Sequence, residues 1–133
     1  MNAVEFKSSE DGAALSFVVT ARSKDDISFD VSVKTPWFSG KASASTYLSG
    51  SPAKLFREMA NEWKGWKKPK TWSDLEDRVK LSATADSTGH VRIAIELAGP
   101  DYDSKLRAIV VYEAGQLDRI ANDIAELLSP NAP

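Results

Sequence analysis

Strict alternation of apolar and polar residues is the feature that most limits how this chain can fold. In Ile27 to Lys34, the apolar Ile27, Phe29, Val31 and Val33 alternate with Ser28, Asp30, Ser32 and Lys34. That is the period of a strand with one buried face. The pattern recurs in Leu15, Phe17, Val19 and Ala21, in Val79, Leu81, Ala83 and Ala85, and in Val91, Ile93, Ile95 and Leu97. Turn-forming residues separate the runs at Glu10-Asp11-Gly12, Ser23-Lys24-Asp25-Asp26 and Asp86-Ser87-Thr88-Gly89. Val4 and Phe6 begin one more strand. Gly40 to Leu48 reads as another, built from small residues, with Ala42, Ala44, Thr46 and Leu48 on one face. Leu106 to Tyr112 is the last, and its run Ile109-Val110-Val111 is apolar on both faces, which predicts a central strand.

Two segments switch to the helical period. Ser51 fits an N-cap and Pro52 the first helical position. Leu55, Phe56, Met59, Ala60 and Trp63 then form one apolar stripe, and Gly65 fits the position after the helix. A second helix covers Gln116 to Leu128, with Leu117, Ile120, Ala121, Ile124, Ala125 and Leu128 inward. Ser129-Pro130-Asn131-Ala132-Pro133 stops it and is expected to fray. Trp66 to Trp72 reads as a connector, and Ser73 with Glu76 predicts a capped helical turn.

The expected fold is a single α+β domain over residues 1–133. It has one curved, mostly antiparallel β-sheet of about six to seven strands, with two α-helices packed on one face, in the order βββ(β)α then βββα. Residues 1–65 and 73–129 both end in strand, tyrosine, glycine and helix, through Tyr47, Gly50 and Leu55 and through Tyr112, Gly115 and Leu117. A degenerate duplication explains that. So does the tendency of any α+β protein to repeat such elements, and the two halves share little residue identity.

Composition then removes function classes. With no cysteine, the 133 residues hold no disulfide, thiolate nucleophile or cysteine metal site. The lone histidine, His90, excludes multi-histidine metal sites and reads as an exposed strand-edge residue. A net charge of −2 argues against a general nucleic-acid binder. Nothing is apolar over a length that spans a bilayer, and Met1 to Gly12 lacks the regions of a secretion signal, so cytoplasmic residence is expected. Glu58 and Glu62 share a helix face, and Asp101 and Asp103 flank Tyr102, but these spacings read as solvated charge. No phosphate loop, nucleophile elbow or dinucleotide fingerprint occurs. The expectation is a non-enzymatic protein with no cofactor and no metal.

The densest local feature is Trp63-Lys64-Gly65-Trp66-Lys67-Lys68-Pro69-Lys70-Thr71-Trp72. Aromatic residues interleaved with cations can stack bases, hold phosphates or anchor a protein partner. The same residues can clamp a connector onto a sheet while the lysines stay in water, and that structural reading ranks ahead. The candidate binding residues are Trp66, Lys67, Lys68, Lys70 and Trp72. Exposure of Trp66 and Trp72 would favour binding, and burial would remove most of its support.

The helix Leu55 to Trp63 with Gly65-Trp66, then Trp72 with Leu75, the hairpin Val79 to Leu97, and Tyr112 leading into Leu117 to Leu128 resemble a group of small bacterial proteins of unknown function. Some similar proteins are grouped with the WapI-type immunity proteins of polymorphic toxin systems. The likeness covers mainly residues 50–130 and rests on spacing and a Trp-Gly-Trp pattern. It implies a small binding protein that neutralises a partner toxin by occlusion, and mild negative charge would suit a basic toxin. The alternative is a small-ligand binder with a pocket between sheet and helices. An unrecognised carboxylate enzyme comes third. Pairing through an uncovered edge strand would also allow a homodimer.

Overall fold

Alternation translates into strands wherever a run is long enough to bury one face. The computed structural model describes residues 2–130. In chain order the elements are β1 (Ala3–Lys7), β2 (Ala14–Arg22), β3 (Ile27–Lys34), β4 (Ser39–Ser45), α1 (Ala53–Asn61), β5 (Lys70–Ser73), β6 (Val79–Ala85), β7 (His90–Ala98), β8 (Lys105–Glu113) and α2 (Leu117–Leu127). A single 3₁₀ turn, Ala114–Gln116, leads into α2. Glu113 and Gln116 close that turn with reciprocal side-chain to backbone bonds, so the fold caps its last helix without a serine or threonine. Asn131, Ala132 and Pro133, where fraying is expected, lie outside the described residues.

The strands form two four-stranded antiparallel meanders, β1-β2-β3-β4 and β5-β6-β7-β8, in place of the one sheet of six or seven expected. The extra strand is β5, inside the segment read as a connector. Trp72 pairs with Leu81 there and opens a second sheet beside the first. The helical turn expected after Ser73 does not form. Asp74 accepts a hydrogen bond from the Val79 N–H at 2.9 Å, and Asp77 takes a left-handed φ of 56°, so the chain reverses at once into β6.

Each half is therefore four strands and a helix, and the registers correspond. Phe6 pairs with Leu15, Leu15 with Val33 and Val33 with Gly40. Trp72 pairs with Leu81, Leu81 with Ile95 and Ile95 with Ala108. The helices pack on each other, α1 also on β5 and α2 also on β1, so each helix reaches the first strand of the other half. One cluster of buried side chains runs through both sheets and both helices. β4 crosses against β6 and β7, and its small inner residues permit that approach. A Cβ on Gly40 would stand 3.2 Å from the Leu106 Cδ1.

Four local expectations are corrected. The β2–β3 register shifts between Val19 and Ala21, and Ala21 swings out to solvent. β4 ends at Ser45, and Leu48 sits exposed in a loop with a φ of 57°. α1 ends at Asn61, which takes Trp63 off the apolar stripe and leaves it 55% exposed. The chain turns early because Trp66 folds back to donate its indole N–H to the Ala83 carbonyl at 3.0 Å. Finally, β8 is an edge strand, not a central one. Its outer residue Val111 is buried by the β1–β2 turn, where the Ser9 N–H donates to the Val111 carbonyl at 2.8 Å and the Val111 N–H donates to the Ser8 Oγ at 3.2 Å.

Tyr112 ties the halves together. It is fully buried and donates its hydroxyl to the Phe6 carbonyl at 2.8 Å. Burial raises the phenol above its usual range, and the charge of Glu5 adds to the shift. A raised folded-state value means the full contribution is present below the unfolded value of about 10 and is lost as pH rises past it. Stability should then fall by up to about 1.4 kcal/mol per pH unit. Tyr112→Phe should cost about 1 kcal/mol at neutral pH for the lost bond and flatten that alkaline fall. Urea unfolding between about pH 8 and about pH 11 measures both, and an unchanged slope would contradict the assignment.

Candidate functional site

The five residues singled out in the sequence do not share one exposed surface. Trp72 is 9% exposed, its ring lies 6.1 Å from that of Phe29, and its indole N–H donates to the Gly50 carbonyl at 3.2 Å. Trp66 is half-buried against Ala83, with the Lys70 ammonium 5.4 Å from its ring centroid. Lys70 itself is turned to Glu62 in an ion pair. Lys67 and Lys68 are the exposed members, and their neighbour Trp63 is exposed as well. The segment anchors the crossover between sheets through two indole N–H groups.

Among the described residues, His90 and the carboxylates near it lie at the surface. Asp86 accepts bonds from the Thr88 hydroxyl at 2.7 Å and from the backbone of Thr88 and His90, which hold its carboxyl below the usual range. His90 stands 2.8 Å from the Thr88 hydroxyl and 3.2 Å from Glu113, at the exposed β6–β7 turn. Among the described residues no group of three or more histidine, cysteine, aspartate or glutamate side chains is placed to hold a metal ion. A surface groove of about 580 Å³ lies between the β5–β6 and β7–β8 turns. Lys80, Lys105 and Arg107 line it opposite Glu76, Asp77 and Glu96, so its charges balance and no single sign is concentrated there. Tyr102 bridges the two turns by donating its hydroxyl to the Glu76 carbonyl at 2.6 Å.

The surface that stands apart is the β3–β4 hairpin tip. Trp37 is 77% exposed and Phe38 is 70% exposed. Large aromatic side chains in that state are held outward at the cost of unfavourable hydration. The turn presenting them is well determined. The Thr35 N–H and hydroxyl both donate to the Phe38 carbonyl, at 2.7 and 3.2 Å. The Thr35 hydroxyl oxygen accepts from the Trp37 N–H at 3.2 Å and the Phe38 N–H at 2.9 Å. Pro36 restricts the remaining dihedral. The sequence signal was Thr-Pro between a strand and two aromatics, which breaks the alternation at its strongest point.

The sheet faces beside the tip differ between the halves. The outer face of β3 and β4 carries Ser28, Ser32, Ser39, Ser43 and Ser45, with Asp30, Lys34 and Lys41. The corresponding face of β7 and β8 carries Arg92, Glu96, Lys105 and Arg107 around the apolar Ala94, Ile109 and Val111. Serine loses little rotamer freedom on burial, whereas each long charged chain loses about 1.5–2 kcal/mol. The tip thus sets two exposed aromatic side chains beside a face of mostly short hydroxyl side chains.

Fold and surface together define a small α+β protein of two antiparallel four-stranded sheets and two helices. The model of a family of unknown function, DUF6228, matches residues 6–131, and the chain belongs to that family. No curated protein and no solved structure matches it. The family match carries no link to the WapI-type immunity proteins. Among the described residues, no helix is long and apolar enough to cross a membrane.

Proposed function

We propose that this protein acts by binding another protein, without chemistry of its own, and that the β3–β4 hairpin is its anchor. The exposure of Trp37 and Phe38 on a turn held by four hydrogen bonds to Thr35 carries this reading. Such a turn has little conformational freedom left to lose on docking, which favours affinity. An immunity protein that occludes a toxin would need a surface of this kind, and it is the specific form of the proposal that the sequence resemblance supports. A small-ligand role has less behind it, because the 580 Å³ groove is lined mainly by charged side chains and lies open at the surface.

Trp37→Ala with Phe38→Ala tests the reading. Both rings are mostly in water, so each substitution should change folding stability by less than about 0.5 kcal/mol. Truncating an interface anchor costs about 2 kcal/mol or more. Tagged protein purified from its own cells should bring down a specific partner, and the double variant should lose it while keeping the wild-type melting temperature. A partner retained equally by both would remove the hairpin from the interface.

A further inference from the structure

The two charged side chains nearest the tip are opposite in sign to the net charge of the whole chain. Between Asp30 and Lys54 the only charged side chains are Lys34 and Lys41, while the chain carries a net −2. Lys34 pairs with Ser39 and Lys41 with Ser32, so both lysines lie on the outer face, on neighbouring strands just behind the turn. Both are exposed, and neither is in an ion pair among the described residues. The aromatic tip therefore sits in front of two ammonium groups that make no ion pair among the described residues, with Asp30 farther back on the same face.

We propose that Trp37 and Phe38 insert into an apolar pocket rimmed by carboxylates on an acidic partner protein, with Lys34 and Lys41 meeting that rim. The inference rests on the docking reading above and names the chemistry of the partner surface. A basic surface would press its own cations against the two lysines as the rings went in, which costs affinity and slows encounter. An anionic membrane offers the same sign of charge. Two lysines are too few for firm attachment to such a surface, and the −2 of the whole chain opposes approach to it. Nucleic acid meets the same opposition. The serine face behind the tip suits a folded protein surface, because it supplies short hydroxyl groups over an area wider than the turn.

A random peptide library displayed on phage tests this. It is selected on the wild-type protein and counter-selected on the Trp37→Ala, Phe38→Ala variant. Surviving clones should place aspartate or glutamate beside apolar anchors. A synthetic peptide from the best clone should bind Lys34→Glu, Lys41→Glu about tenfold or more weakly, and a version with its acids changed to lysine should recover on that variant. Neutral or basic clones, or acidic ones indifferent to the two lysines, overturn the acidic-partner inference and leave docking at the tip standing. If no clone depends on Trp37 and Phe38, docking at the tip falls as well. Sedimentation with phosphatidylglycerol vesicles runs alongside, and tip-dependent co-sedimentation overturns the assignment in favour of a membrane surface.

Discussion

Ile93→Asp should leave this protein unable to fold stably, whereas Arg92→Asp, one residue away, should scarcely alter it. Ile93 lies in β7, paired on one side with Ala83 and on the other with Val110, and none of its surface reaches solvent. An aspartate there removes a buried aliphatic side chain and inserts a carboxylate among groups that cannot hydrogen-bond it. The expected loss exceeds about 4 kcal/mol, a large part of the 5–15 kcal/mol that holds a typical domain together. Arg92 points from the opposite face of the same strand into water. Its replacement should shift stability by less than about 1 kcal/mol. Urea unfolding of both variants measures the difference. Comparable losses at the two positions would mean that the register of β7 is one residue out, since a single-residue slip exchanges the faces.

The same logic explains which parts of the structure the sequence disclosed. β3, β6 and β7 were legible because each spends its alternation on one buried face, and every inward residue of β3 (Ile27, Phe29, Val31, Val33) is buried in the core. The two helices were legible from stripes of apolar residues, although Trp63 fits the stripe by spacing and lies beyond the helix end, and in α2 Ala125, expected inward, is exposed while Leu127 is buried. β5 was hidden because a strand of four residues with one buried side chain, Trp72, has too little length to show a period. The edge position of β8 was hidden for a different reason. Val111 is buried by Ser8 and Ser9, more than a hundred residues away in the chain, and a local pattern cannot tell such a cover from a neighbouring strand. The hairpin tip escaped notice because outward and inward aromatics in a turn look alike in sequence. Only the Thr35 hydrogen bonds and the exposure of the rings separate them.

The tryptophans read as a single feature thus divide by role. Trp66 and Trp72 hold the crossover between sheets and Trp63 is left at the surface by the early end of α1, while Trp37, outside that run, faces the solvent at the tip. The two sheets repeat one register ladder, yet their outer faces differ, rich in serine on one and with long charged chains around Ala94, Ile109 and Val111 on the other.

Trp72→Ala should be the most damaging aromatic truncation in the run from Trp63 to Trp72. The ring fills space beside Phe29, whose strand partner is the small Ala44, and its N–H ties β5 to the loop before α1 through Gly50. In the second half Tyr112 takes the place of Ala44 on the matching ladder, and its hydroxyl reaches Phe6, which takes the place of Trp72. Large beside small in one half and smaller beside large in the other keeps the core filled. Removing the indole leaves a cavity opposite a residue too small to close it, and the expected cost is about 3–5 kcal/mol. Trp72→Phe installs the residue of the matching position without the matching tyrosine. It should cost about 1–2 kcal/mol, from the lost volume and the lost bond to Gly50. Restoring volume with Ala44→Val in the Trp72→Phe background should recover part of that loss, while Ala44→Val alone should destabilise by overpacking by about 1–3 kcal/mol. A double-mutant cycle by urea unfolding reads the coupling directly, and simple additivity of the two changes would mean that Trp72 and Ala44 do not share the same space.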